Sequence, residues 1–590
     1  MADSPLKNAD GPVGVIVKAD GAELPDTTQI ASVRVRNEIN RVPEAMIVIE
    51  ASSTQLDDFT EFDDDLFKPG TEYEISAYYG SEAEERIFSG ILVTSRMRLT
   101  GTGGMRIELI CRDKVIGLTE IRTSAAYSEM KDSDIMTSLI SDSDSGLTAD
   151  VTATTDEAAE KLRVGATDWD YLRLLADRNG MVVFVDDATV SVKEPDTSVA
   201  AALTVEVGMD ILDLDMAVDA HRMIKSADAT SWSEADQDVV TGNSATVPAP
   251  VPGNSTPADL AKVLSDRVHT TFTAREIPSA ELTTITKSRT TRAGLAAMQG
   301  SVLFPGSGAI WPMDTLEIKG VGERFGGTGF VAATEHDIRA GTWTTRARLG
   351  LPQDWTSDST GMAAPAAEAV NTPVHGLQIG KVLEVAPDED GMQRIKIRLP
   401  VVGDPPAEVW ARYAQPYASS GAGIQFLPEI DDEVVVAFLN ADPEAPIIVG
   451  SLHNATAERP VEATEDNFVK TITTREELKM TFDDEKKIIT VETPGGHILT
   501  MDDDESAFSL EDMNGNSIVM DSNGITLTTD KDITLTATGN IVAEATQDAT
   551  VEGMNITCTA QTELTVEGNA TAKLSSGGQT TVEGSVVMIN

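Results

Sequence analysis

From Val13 to about Cys111, apolar and polar residues alternate in short runs, the period of two expected of strands with one buried face. Residues 32–36, 45–50 and 73–78 read as three such strands. Residues 95–99 and 105–110 flank Gly101-Thr102-Gly103-Gly104, where glycines supply the positive φ angles of a hairpin turn. Beyond Cys111 helical periods enter. Asp132 stands as the cap of a short helix in which Ile135/Leu139 and Met136/Ile140 fall one turn apart on one face. Thr167-Asp168-Trp169-Asp170 has capping-box spacing, with Asp in place of Glu or Gln, and opens a helix that Gly180 closes. Residues 181–185 and 189–192 form a second hairpin across Asp186-Asp187. A further helix starts at Thr256-Pro257, with Leu260, Val263, Leu264 and Val268 toward the core. Residues 241–257 and 356–373, rich in Pro, Ala, Ser and Thr, read as connectors, the first a surface loop and the second the main boundary.

Residues 376–454 form a strand-only module, and after Glu465 no helical period returns. Runs of about five strand residues, each followed by a Gly, Asn or Asp turn, recur to the end: 516–520, 524–528, 532–536, 540–544 and onward through Thr581-Val582-Glu583-Gly584. That cadence predicts a β-solenoid or β-helical rod. Only one face of each strand is apolar, and its residues are small. Three copies wound about one axis would bury all three apolar faces and leave no open edge, so an intertwined homotrimer is favoured over a monomeric solenoid. The expected fold class is mainly β: barrel-type N-terminal domains with a few helices, a small strand-only domain, and an intertwined triple-stranded β-helix.

Composition narrows the function. The 590 residues and 62.8 kDa allow about four domains, and 41% hydrophobic residues with a mean hydropathy of -0.12 are ordinary for globular protein. Charge is not ordinary: Asp+Glu total 96 against Lys+Arg 45, giving -51 and a pI near 4.3. That excess repels phosphate backbones and anionic lipid surfaces, which excludes nucleic-acid binding or basic membrane binding as the main role. The acidity fits a solvated surface, a high-salt environment, or a negative lumen that repels or holds cargo. Cys111 and Cys558 form no C-x-x-C, so neither a disulfide framework nor a cysteine zinc site is expected. The N-terminus has no apolar signal region, and the longest apolar runs, such as residues 434–439, are strand-sized. The expectation is cytoplasmic synthesis, with any export by another route.

Candidate chemistry is sparse. His221, His269, His336, His375, His453 and His497 are scattered and form no metal-binding pair. His497, beside Gly495-Gly496, is the one candidate for an axial metal site in a trimer; otherwise no metal and no cofactor are expected. Asp63-Asp64-Asp65, Asp431-Asp432 and Asp502-Asp503-Asp504 match no calcium loop and read as solvated turns. Gly322, Gly326, Gly327 and Gly329 precede no Gly-Lys-Ser/Thr and fit a hairpin, and no Gly-x-Ser-x-Gly elbow occurs.

One module carries a family resemblance. Trp410-Ala411-Arg412, Pro428-Glu429-Ile430-Asp431-Asp432-Glu433-Val434 and Gly450-Ser451-Leu452-His453-Asn454 resemble, in order and spacing, the OB-fold of VgrG and phage baseplate spike proteins. Its signature positions here are Trp410, Arg412, Pro428, Glu429, Asp432, Glu433, Gly450 and Asn454. The N-terminal half resembles the hub domains fused ahead of that OB-fold, and Pro494-Gly495-Gly496-His497-Ile498 resembles the start of a VgrG needle. The resemblance implies a hub over residues 1–360, a linker at 361–374, an OB domain at 375–455, a neck at 456–480 and a needle at 481–590. It implies a non-enzymatic homotrimeric spike of a contractile injection system, whether type VI-like, an extracellular phage-tail-like particle or a phage. Its partners would be the inner tube protein at the hub, baseplate proteins, and a PAAR-type tip protein on Val587, Met588, Ile589 and Asn590, with transient contact to a target membrane. The particle would assemble in the cytoplasm and then be released or injected. Only about thirty residues separate Asn454 from needle-like sequence, which leaves no room for the lysozyme domain of some phage spikes, and no effector domain follows Asn590. The alternatives are a cell-wall-degrading phage spike enzyme and a trimeric surface adhesin.

Overall fold

The alternation read at residues 32–36 and 45–50 resolves into the strands Gln29–Glu38 and Glu44–Glu50, which bury Val33, Val35, Ala45, Ile47 and Ile49 on one face. A computed structural model describes residues 3–50, 63–99, 105–356 and 373–589, apart from 156, 222, 234, 235, 244, 247–251, 265, 274–276, 387 and 390. The chain divides into two units, Met1–Ser451 and Leu452–Asn590.

A thirteen-stranded sheet dominates the first unit. One end carries Val13–Ala19, Glu72–Tyr79, Glu85–Leu99 and Met105–Arg112; the other carries Thr342–Leu349, Met298–Pro305 and Asp213–Val218. The two ends meet where Gln29–Glu38 pairs antiparallel with Gly327–Arg339, setting Val35 opposite His336. Charges zip the outer face of that seam: Arg36 lies 3.0 Å from Glu335, and Arg34 3.6 Å from Asp337. Separate apolar cores fill the two ends, one around Ile47, Ile75 and Phe88 and the other around Phe304, Leu316 and Val331. Gly306 is required by packing, since a Cβ there would meet the Trp343 ring at 2.0 Å. The pairing of Leu99 with Met105 closes the expected first hairpin, whose turn at Gly101–Gly104 lies outside the described residues.

Two helices and a three-stranded sheet build a further core. Helix α1 (Asp132–Ser141) buries Ile135, Met136, Leu139 and Ile140, as its spacing predicts. Asp132 does not cap it. The residue sits at the first helical position, and its carboxylate instead accepts hydrogen bonds from Lys161, Arg178 and Asn179. Helix α2 (Asp168–Arg178) begins as predicted, with the Thr167 hydroxyl accepting from the Asp170 N–H at 3.0 Å and Gly180 following at φ +72°. The hairpin Val182–Asp186/Thr189–Lys193 turns through Asp187 and Ala188, both at positive φ, as a two-residue primed turn requires.

One reading is corrected, and one helix has no counterpart in the sequence pattern. Helix α3 (Pro257–Val263) starts at Thr256 as expected but buries Pro257 and Ala261, while Val263 and Leu264 are exposed and Val268 opens the next strand. The longest helix described, α4 (Ser279–Ala296), was not legible in the pattern. It buries Thr286, Ser288, Thr290 and Arg292 along with Leu282 and Ala293, so no apolar stripe marks it. Its threonines return their hydroxyls to backbone carbonyls of the preceding turn, Thr283 to Ser279 and Thr290 to Thr286 among them.

In the second unit, seven strands from Val469–Thr473 to Gly524–Thr528 form an antiparallel meander, each paired with the next. Within one chain the cadence therefore makes a succession of antiparallel hairpins up to Thr528. From Asp530 to Ile589 no strand is paired within the chain.

Candidate functional site

Five strands close the barrel: Gln378–Glu384, Ile395–Leu399, Ala407–Tyr413, Pro446–Ser451 and Glu433–Phe438. Their inward positions, Val382, Ile395, Ile397, Leu399, Ala411, Val434, Val436 and Ile448, are buried together as the barrel's core. The signature residues build this barrel. Pro428 is buried at the entry to a tight turn in which the Glu429 N–H donates to the Asp432 carboxylate at 2.8 Å. Asp431 takes φ +75° there, and Val382 and Asp431–Asp432 exchange backbone hydrogen bonds. Glu433 then starts its strand opposite Lys381. Gly450 sits at a bulge, where pairing steps from Val435–Gly450 to Val436–Ile448. Trp410 and Arg412 flank buried Ala411, and Arg412 pairs with Ile447. Past the barrel, the Asn454 carboxamide oxygen accepts from the N–H groups of Thr456 and Ala457 and pins the next turn. These residues specify a fold; they do not converge on a reacting centre.

Exposed apolar residues cluster on segments that the chain itself does not cover. Beside the barrel, Ile424, Phe426 and Ile430 are open to solvent. In the meander, alternate residues such as Ile472, Val491, Met501 and Leu510 are half-exposed because no second layer lies on the sheet. Beyond it exposure rises further: Leu535 is 71% exposed, Val566 83% and Met554 99%. Val587, Met588 and Ile589 end this stretch, exposed, and Asn590 lies outside the described residues.

The acidic runs are turn builders. Asp64 caps a short 3-10 helix by accepting from the Leu66 N–H, and Asp502 accepts from the Glu505 N–H. Asp512 does the same for Asn514 and Asn516, and the hydrogen bonds from Asn516 chiefly hold its carboxyl down at about 2. His497 lies exposed in the turn before Ile498–Asp502, its N–H donating to Thr493. Among the described residues, no group of three or more His, Cys, Asp or Glu could hold a metal ion. No helix among them is long and apolar enough to cross a membrane. Cys111 is buried, its thiol pushed up to about 12 by desolvation, and Cys558 is exposed.

Residues 9–340 match the family described as the Alg8 N-terminal domain, which is more than half of the chain. The chain belongs to that family. Residues 378–453, which span the closed barrel, match the type VI secretion system/phage-baseplate injector OB domain. The type VI secretion system spike protein VgrG3 of Vibrio cholerae is 36% identical over 87 residues, 14% of this chain and 8% of that protein. The actin cross-linking toxin VgrG1 of the same species is 40% identical over 81 residues, 13% of this chain and 7% of that protein. The matched stretch thus spans under a tenth of either relative. A solved 43 kDa tail protein of prophage MuSo2 from Shewanella oneidensis covers 58% of this chain and 99% of its own at 12% identity and TM-score 0.45. The resemblance to VgrG-like baseplate hub-spike proteins, first read from the barrel's residues, holds.

Two polar networks that the sequence did not disclose lie in the first unit, the second reaching past the family-matched residues to Thr356. Asp132, 3% exposed, gathers Lys161, Arg178 and Asn179. Burial alone would raise its carboxyl, but Arg178 and Lys161 hold it below the usual carboxylate range. Asp177, equally buried, pairs with Arg292 and accepts the Thr356 N–H at 2.7 Å, while Arg292 also donates to the Asp354 carbonyl at 2.6 Å. Trp355 between them lies under Arg289, 3.5 Å from ring centroid to guanidinium carbon. The last described residues before the predicted linker are thereby latched to α2 and α4.

Proposed function

We propose that this chain is the spike subunit of a contractile injection system, of the type VI kind or of an extracellular phage-tail-like particle. Three copies share one axis. Residues 1–360 dock the first ring of the inner tube and contact baseplate proteins, 375–455 form an OB collar, and 456–480 lead to the needle at 481–590. Its work is mechanical, not enzymatic: sheath contraction drives the needle through the target envelope. Val587, Met588, Ile589 and Asn590 of three chains form the small apolar platform that carries a PAAR-type tip.

One observation carries this reading. The meander and the stretch beyond it present regularly spaced apolar side chains that nothing in the same chain covers. A one-layer sheet of strands this short does not hold itself together, and residues 530–589 make no strand pairs of their own. Partner chains wound alongside supply both the second layer and the missing hydrogen bonds. The OB-domain match adds the architectural context.

The solution mass by light scattering at low and high salt tests the proposal. A mass of about 188 kDa, three times 62.8 kDa, is expected at both. A stable 62.8 kDa species at both salts would overturn it. The tip assignment is checked separately: Met588→Asp with Ile589→Asp should keep the trimer mass but lose retention of a PAAR-type protein in a pull-down.

A further inference from the structure

A four-stranded sheet in the first unit is covered on one side only. Its strands are Ser226–Ser233, Asp238–Thr241, Ala245–Thr246 and Val268–Thr273. Helix α4 packs on one side, where Ala227 shares a core with Ala293, and Ala229 with Leu282. Strand alternation sends Asp228, Thr230 and Trp232 to the other side. The register sets Val239 beside Trp232, Thr241 and Phe272 beside Thr230, and Thr270 beside Asp228. Phe272 is 83% exposed, the most open aromatic among the described residues, and Trp232, at 40%, is the most open tryptophan.

The open face mixes rings with polar groups. Asp228, Thr230, Thr241 and Thr270 lie beside the two aromatics, and their side chains make no hydrogen bond among the described residues. No Lys, Arg or His of these strands shares the face, since His269 alternates to the α4 side. Charge therefore narrows the occupant. An anion would find no counter-charge there and would meet the field of a chain carrying -51. A cation would use Asp228 and leave three hydroxyls idle. The core of a protein interface is depleted of charge, whereas Asp228 stands in the middle of this face.

We propose that this face binds a neutral oligosaccharide. The apolar C–H face of a sugar ring stacks on the electron-rich face of an aromatic ring, and here Trp232 and Phe272 supply two such platforms. Strand geometry puts their Cα atoms about 8 Å apart, wide enough for two linked sugar rings. The hydroxyl edges of those rings donate to the Asp228 carboxylate and exchange hydrogen bonds with the threonine hydroxyls. An open, level face suits a stretch of glycan chain rather than a free monosaccharide, which would need an enclosing pocket. The inference stands on this face and is independent of the spike reading.

The test uses the dye-labelled full-length protein on an array of neutral hexasaccharides of glucose, mannose, xylose and N-acetylglucosamine, with sulfated and sialylated glycans alongside. Expected is binding to at least one neutral hexasaccharide and none to the charged ones. In calorimetric titration with the best of them, Trp232→Ala and Phe272→Ala should each weaken binding about three- to tenfold. Asp228→Ala should weaken it about tenfold. Phe426→Ala, which removes an exposed ring beside the barrel, should leave binding unchanged. Both face rings are exposed, so their removal spares the core, and an unchanged thermal melt checks this. Absence of binding to every neutral hexasaccharide, preference for the charged glycans, or affinity indifferent to Trp232→Ala and Phe272→Ala would overturn the inference. A lowered light-scattering mass in Phe272→Ala, with no saccharide bound by the wild type, would assign the face to a contact between copies and overturn it as well.

Discussion

His336 places an acid-sensitive joint in the large sheet. It lies on the strand that pairs with both Gln29–Glu38 and Thr342–Leu349, 1% exposed, with Nδ1 3.0 Å from the Thr345 hydroxyl and its ring 6.1 Å from that of Trp343. Desolvation alone lowers its pKa, from 6.5 to about 4. The neutral ring is therefore favoured in the folded state. Stability from this group is fully present above pH 6.5 and is lost as pH falls from there toward 4. At pH 5 the unfolded chain holds the proton about 1.5 units below its pKa while the folded ring remains mostly neutral, a loss of about 2 kcal/mol at 1.36 kcal/mol per unit. The ceiling, reached below pH 4, is about 3 kcal/mol. Five of the six tryptophans, Trp169, Trp232, Trp311, Trp343 and Trp355, lie within residues 1–360, so tryptophan fluorescence in urea reads this region. Urea titrations at pH 7.5 and pH 5 on the wild type and His336→Gln should differ by about 2 kcal/mol in their acid-induced loss, carboxylate contributions cancelling in the comparison. An acid-induced loss as large in His336→Gln as in the wild type would refute the reasoning.

Three other substitutions probe the same unit. Asp132→Ala should strand the buried Lys161 and partly buried Arg178 and cost about 3–5 kcal/mol by the same urea assay, more than Asp132→Asn, which keeps hydrogen-bond acceptors. Gly306→Ala should drive a methyl group into the Trp343 ring, costing about 1–3 kcal/mol and shifting the fluorescence emission of the folded state. Thr167→Ala should remove the α2 cap at a cost of about 0.5–2 kcal/mol, with Thr167→Ser recovering most of it in thermal melts.

The parts legible in the sequence are those where a short stretch answers to its own geometry. Thr167 caps α2 because a hydroxyl three residues before an N–H meets it wherever a helix starts, and the structure returns that bond at 3.0 Å. The second hairpin was likewise visible, although its turn falls one residue on, at Asp187-Ala188 rather than Asp186-Asp187, and Asp431-Asp432 do sit in a turn. Helix α4 was hidden for the complementary reason. Its buried face is Thr, Ser and Arg, whose burial depends on acceptors such as the Asp177 backbone carbonyl and carboxylate, far away in the chain. Asp132 looked like a cap and became the centre of an ion cluster, because Lys161 and Arg178 reach it from other elements.

By itself the sequence determined the period-two alternation, the caps and turns, the barrel's ordered motif and the uncovered apolar cadence of the C-terminal part. Those properties follow from backbone periodicity and local hydrogen bonding, which need no knowledge of distant residues. Only the tertiary structure decided that Val35 faces His336 across some three hundred positions, that Asp177 clamps residues 354–356, and which charges lose their water. Burial sets the cost of a charge and the worth of its partner, and burial is a property of the assembled fold.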